Sequence, residues 1–110
     1  MKNLSKIAPV FVSEVCESLS KAGHKELEDK IRNVVIEQYT YDIDSDAGYI
    51  YMHIEMSPIV AAVHNETAVV KETISLGSVN IDIDHEGNIF GIELLGRPEV
   101  IREIESANTL

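Results

Sequence analysis

The residues best suited to chemistry lie between Val79 and Leu95. Asp82-x-Asp84-x-Glu86-Gly87, followed by Ile89 and Glu93, puts oxygen ligands at the first, third, fifth and last places of an EF-hand calcium loop, with glycine at its sharp turn. A second, weaker copy begins at Asp42, Asp44 and Asp46, where Ala47 takes the glycine place and His53 the final acidic place. An EF-hand needs a helix on each side of its loop. Here Val79, Ile81 and Ile83 alternate with Asn80, Asp82 and Asp84, and Phe90, Ile92 and Leu94 alternate with Gly91, Glu93 and Leu95. Period-two alternation on both flanks predicts a β-hairpin in which Gly87 supplies the positive φ of the turn. Asp42, Asp44 and Asp46 then read as turn residues, since aspartate side chains bond nearby backbone N–H groups.

Other reactive side chains form no recognisable constellation. His24, His53, His64 and His85 are far apart and show neither H-x-x-x-H nor H-E-x-x-H spacing. A metal or acid/base site built from Asp82, Asp84 and His85 remains an alternative. Cys16 is the only cysteine, which excludes an intrachain disulfide and a thiolate metal cluster. It lies mid-helix, without a neighbouring histidine or basic helix end to activate its thiol, and reads as a packing residue. No glycine-rich loop leads from a strand into a helix to cradle phosphate. No cofactor is expected.

Charge is distributed unevenly. The net charge is −10, and residues 1–37 carry six bases and six acids. Residues 38–96 carry ten acids against Lys71 alone, giving −9, and the remainder contributes −1. A field of that sign repels nucleic acid and anionic membrane and attracts a basic protein. Tyr39, Tyr41, Tyr49 and Tyr51 fall among Asp42, Asp44 and Asp46; on the face opposite Ile50, Met52 and Ile54 they would be exposed anchors beside carboxylates. The alternative is cross-strand tyrosine pairing that only stabilises the hairpin.

The elements that must position these residues follow from periodicity. Ser5 can cap a helix with Ala8, Val12, Val15, Leu19 and Ala22 on one stripe, Pro9 in its first turn and Gly23 at its end. A shorter helix from about Lys25 carries Leu27, Ile31 and Val34, completing a helical hairpin. Residues 35–41 and Tyr49–Met56 form a first hairpin around an Asp42–Gly48 turn. Pro58 interrupts it, Ile59 to Ala68 has no assignable structure, Val69–Ile74 is a third strand, and Val79 to Leu95 supplies two more. Pro98 opens a short terminal helix with Val100, Ile101 and Ile104. The expectation is one α+β domain over residues 1–110. It has a helical part (1–34) packed on one face of a four- to five-stranded antiparallel sheet (35–96), and a C-terminal helix and tail (97–110). With no signal-peptide core and no stretch long enough to cross a bilayer, a cytoplasmic location is expected.

Two motifs carry a resemblance. Tyr41-Asp42-x-x-x-Asp46-Ala47-x-Tyr49-Ile50, followed by Asn80-x-Asp82-x-Asp84-x-x-Gly87-x-x-x-Gly91-Ile92-Glu93-Leu94-Leu95, resembles a small bacterial domain family of unknown function over residues 39–95. The resemblance implies an antiparallel sheet and no assigned chemistry. The N-terminal helices are additional to it, and the segment from Ser57 to Ala68 is longer than such a compact domain usually has. By type alone, a small, strongly acidic α+β chain without a catalytic motif is similar to immunity proteins that neutralise basic nuclease toxins.

The leading functional expectation is therefore a non-enzymatic protein-binding domain, in its most concrete form an immunity or inhibitor protein that occludes a basic toxin or nuclease. Its surface would be Tyr39, Tyr41, Asp42, Asp44, Asp46, Tyr49, Tyr51, Asp82, Asp84 and Glu86. The alternatives are a metal-dependent enzyme or metal-binding domain using the Asp82/Asp84/His85 turn, and a homo-oligomer paired through a sheet edge.

Overall fold

The computed structural model describes residues 2–54 and 70–108. Among them the elements run β1 (Lys2–Asn3), α1 (Leu4–Ile7), α2 (Pro9–Lys21), α3 (Glu26–Asn33), β2 (Val35–Asp42), β3 (Ala47–Met52), β4 (Val70–Ser75), β5 (Val79–Asp84), β6 (Ile89–Leu95) and α4 (Pro98–Asn108). The α+β architecture is as expected, with one strand more. Lys2 and Asn3 pair with Ile36 and Val35, and the antiparallel sheet has the order β1-β2-β3-β6-β5-β4. The two hairpins meet through β3 and β6, with Ile50 opposite Ile92. Met56, Pro58, His64 and the stretch Ile59 to Ala68 lie outside the described residues.

The first helix is not continuous. Proline disfavours helical geometry in the residue before it, and Ala8 accordingly sits at φ −131° and ψ 66°. Pro9 therefore begins α2 at its first position instead of occupying the first turn of a longer helix. The cap of α1 is Asn3, whose Oδ1 accepts from the Ser5 N–H at 2.9 Å; Ser5 itself is inside the helix. Gly23 ends the following helix at φ 85°, as its position predicted. In α3 the acids Glu26, Glu28 and Asp29 sit in the first turn and Lys30 and Arg32 in the last, each sign facing the helix end that favours it.

One core joins the helices to the inner sheet face. Leu4, Phe11, Val15, Leu19, Leu27 and Ile31 from the helical layer, with Val100, Ile101 and Ile104 of α4, bury against Ile36, Ile50, Ile81, Ile92 and Leu94. Gly48 lets α4 close on β3, since a Cβ there would lie 2.9 Å from Ile101 Cδ1. Arg97 pins the corner between β6 and α4 to α2. Its guanidinium donates to both Glu14 oxygens at 2.8 and 2.9 Å and to Glu99 at 2.7 Å, and lies 5.5 Å from the Phe11 ring centre. That pairing holds the Glu99 carboxyl below its ordinary range.

Candidate functional site

With Gly48, Ile50 and Met52 pointing into the core, alternation sends Ala47, Tyr49 and Tyr51 to the other face of the sheet. Register then decides what joins them. Tyr49 lies opposite Glu93 and Tyr51 opposite Gly91; Gly91 and Glu93 in turn face Asp82 and Asn80, which face Thr73 and Ser75. The Tyr49 ring extends over Gly91, so closely that a Cβ there would sit 2.3 Å from Tyr49 Cε1. Passing over the glycine brings the Tyr49 hydroxyl to Asp82, donating to Oδ2 at 2.5 Å, while Thr73 Oγ1 donates to Oδ1 at 2.5 Å. Asn80 Nδ2 donates to Glu93 Oε1 at 2.8 Å. The Tyr51 ring centre is 4.6 Å from that of Tyr49, and Phe90 meets Tyr51 edge-on at 6.2 Å.

Phe90 reaches this face through an irregularity. Pairing passes from Asp82↔Gly91 to Ile83↔Ile89, so Phe90 is the extra residue of β6. The outer face thus combines three aromatic rings with two carboxylates whose orientation is set by neutral donors. Each carboxylate keeps free acceptor positions after those bonds. Thr73, Asn80, Phe90, Gly91 and Glu93 were not among the expected surface residues, although Asn80, Gly91 and Glu93 stand in the motifs of this stretch. The signal for their grouping is Gly91, a glycine in a strand interior, which often marks the close approach of another group.

The remaining expected site residues lie elsewhere. Tyr39 and Tyr41 are on the core face, packed against buried residues, and do not join Tyr49 and Tyr51. The cause is a bulge: Ile36 pairs with Met52 but Gln38 with Tyr51, so one extra residue shifts Tyr39 opposite Ile50 and Tyr41 opposite Gly48. Tyr41 donates to Asp46 Oδ1 at 2.6 Å, and that bond raises the phenol above its ordinary pKa. Asp42 Oδ1 accepts from the Asp44 N–H at 3.0 Å, and Asp46 takes a positive φ of 51° that aspartate tolerates.

Asp84 also departs from the surface expected of it. It is 6% exposed, and its carboxylate accepts from the Glu86 N–H at 2.9 Å, the Asn88 N–H at 2.8 Å and Asn88 Nδ2 at 3.3 Å. Glu86 is exposed at the turn. Lys30 of α3 secures the same turn by donating to the Gly87 carbonyl at 2.5 Å. The two acidic turns do not form one rim. Antiparallel pairing puts Ala47 beside Leu95 and Tyr51 beside Gly91, so the Asp42/Asp44/Asp46 turn lies at one end of the sheet and the Asp84/Glu86 turn at the other.

Asp82 and Asp84 serve separate partners, and among the described residues no group of three or more His, Cys, Asp or Glu side chains is placed to hold a metal. His53 Nδ1 lies 2.9 Å from Glu37 Oε2, and His24 pairs with Glu26 at 3.7 Å. Cys16 is buried, and burial pushes its thiol above the usual range, opposing thiolate formation.

An antiparallel sheet with its described helices on one face and an aromatic and acidic pattern on the other is the class of structure these residues build. The chain belongs to the family described as protein of unknown function DUF2283, matched over residues 38–96. No curated protein matches it. No solved structure matches it. The matched span contains the −9 segment and nearly all of the sheet, whereas α1, α2, α3 and α4, which cover the inner face, lie outside it. No helix among the described residues is long and apolar enough to cross a membrane.

Proposed function

We propose that this chain is a non-enzymatic binding domain that captures a basic protein on the outer face of its sheet. The observation that carries the reading is the grouping of Tyr49, Tyr51 and Phe90 with Asp82 and Glu93 on that face, within a segment of net charge −9. Aromatic side chains supply contact area at low entropic cost, and carboxylates held by Tyr49, Thr73 and Asn80 meet cations without prior reorganisation. The acidic field speeds encounter and selects the sign of the partner. In its most concrete form the partner is a basic toxin or nuclease domain and the binding occludes its active site.

The test is retention of cell proteins on the immobilised chain, with the proteins identified by mass spectrometry. Wild type is compared with Glu93→Lys and Tyr51→Ala at low and high salt. A basic protein retained by wild type at low salt, and lost both at high salt and from the variants, supports the reading. Retention that is indifferent to salt and to both substitutions refutes it.

A further inference from the structure

A cleft of about 770 Å³ separates α1 from α4, within the size range of small-molecule sites. Its charge is opposite to that of the rest of the chain. Lys2, Lys6 and Arg102, three of the nine lysines and arginines, line it against the single carboxylate of Glu103. At physiological ionic strength charge is screened over about 8 Å, so a ligand in the cleft responds to these cations more than to acids beyond that range. Lys2 is partly engaged, donating to the Ala107 carbonyl in the last turns of α4. Lys6 and Arg102 form no ion pair among the described residues. Both side chains are exposed donors, hydrated in the free chain and available to a ligand acceptor.

The walls between the cations are mostly apolar. Ile7 and Ala107 line the cleft with Asn3 and Ser106, and a smaller hollow of about 160 Å³ shares Lys2 and Ile7 with it and continues onto Ile36, Tyr39 and Ile104, with Glu37 and Gln38 also in its lining. We propose that this cleft binds a small amphipathic anion, a carboxylate on an apolar chain. Lys6 and Arg102 hold the carboxylate, and Ile7 with the adjoining hollow takes the chain. Arginine suits the head group because its planar fork matches a carboxylate. Glu103 on the same wall leaves an excess of two positive charges in the cleft, and Glu37 of the adjoining hollow brings the site to an excess of one, which favours a singly charged head over a polyanion. The cleft is distinct from the outer sheet face, and its occupancy does not depend on the protein partner proposed above.

Dodecanoate below its micelle concentration is a direct probe, followed by calorimetry and by amide chemical shifts on the intact chain. Acetate supplies the head without the chain, and dodecyltrimethylammonium the chain with the opposite charge. The expected result is saturable one-to-one binding of dodecanoate alone, with shifts concentrated in residues 2–7 and 102–107. Lys6→Glu combined with Arg102→Glu weakens it about tenfold, and Lys6→Gln with Arg102→Gln weakens it less. Both positions are exposed, so folded spectra are expected for every variant. Unchanged affinity in the charge-reversed variant, equal binding of the cationic amphiphile, shifts centred on the outer sheet face, or no saturation by dodecanoate each overturns the proposal.

Discussion

Gly91→Ala tests the geometry of the outer face most directly. The added methyl would occupy space now filled by Tyr49, whose Cε1, hydroxyl and Cζ would be 2.3, 2.4 and 2.5 Å away. The ring must rotate off the sheet, which breaks its bond to Asp82 and disturbs its contact with Tyr51. A hydrogen bond to a charged group contributes about 1.5–3 kcal/mol, and an aromatic pair about 0.5–1.5 kcal/mol. Tyr49 is half-buried, which favours the lower half of both ranges. Replacing a strand glycine by alanine returns about 0.5–1 kcal/mol of unfolded-state entropy. The expected net loss is about 1–3 kcal/mol, read from urea unfolding as a lower midpoint at unchanged slope. In a Tyr49→Ala background the obstruction is gone, and Gly91→Ala becomes neutral or slightly stabilising. Equal cost in both backgrounds would show that Tyr49 does not depend on the glycine, and the account of the face would fail.

Asp84→Ala leaves the Glu86 and Asn88 N–H groups of the β5–β6 turn without their acceptor and is expected to destabilise by about 2 kcal/mol, with Asp84→Asn recovering part of it; urea midpoints of the two variants check this, and equal losses would count against it. Tyr41 should ionise above the free-tyrosine range of about 10, because its phenol donates to Asp46. Its contribution to stability is complete below that range and is lost as pH rises through the raised folded value. Phenolate absorbance of wild type against Tyr41→Phe isolates the group. Asp46→Asn should lower its pKa, and an unchanged titration would refute the assignment.

Much of the fold is legible from local pattern. Helices and strands bury one side in alternate ways, so spacings such as Leu27/Ile31 and Val79/Ile81/Ile83 report the element and its inner face without knowledge of the partner. The same logic separates the Asp82 stretch from a calcium loop, since strands β5 and β6 flank it as the alternation predicts. The break at Ala8 was equally legible in principle. Proline restricts the residue before it, and the helical stripe through Ala8 obscured that local rule.

The site was less legible because periodicity is local and register is not. A bulge after Ile36 divides four neighbouring tyrosines between two faces, and another at Phe90 brings out an aromatic ring that alternation alone assigns inward. Pairing of β3 with β6 puts the two acidic turns at opposite ends of the sheet. The sequence by itself determined the α+β class, the identity of most strands and helices and the acidic charge of the sheet segment, all of which depend on residue type and near-neighbour spacing. Only the tertiary structure decided that Tyr49 crosses Gly91 to reach Asp82, and that Lys2 and Lys6 share a cleft with Arg102. Those contacts join residues far apart in the chain, and their positions follow from strand order and helix packing.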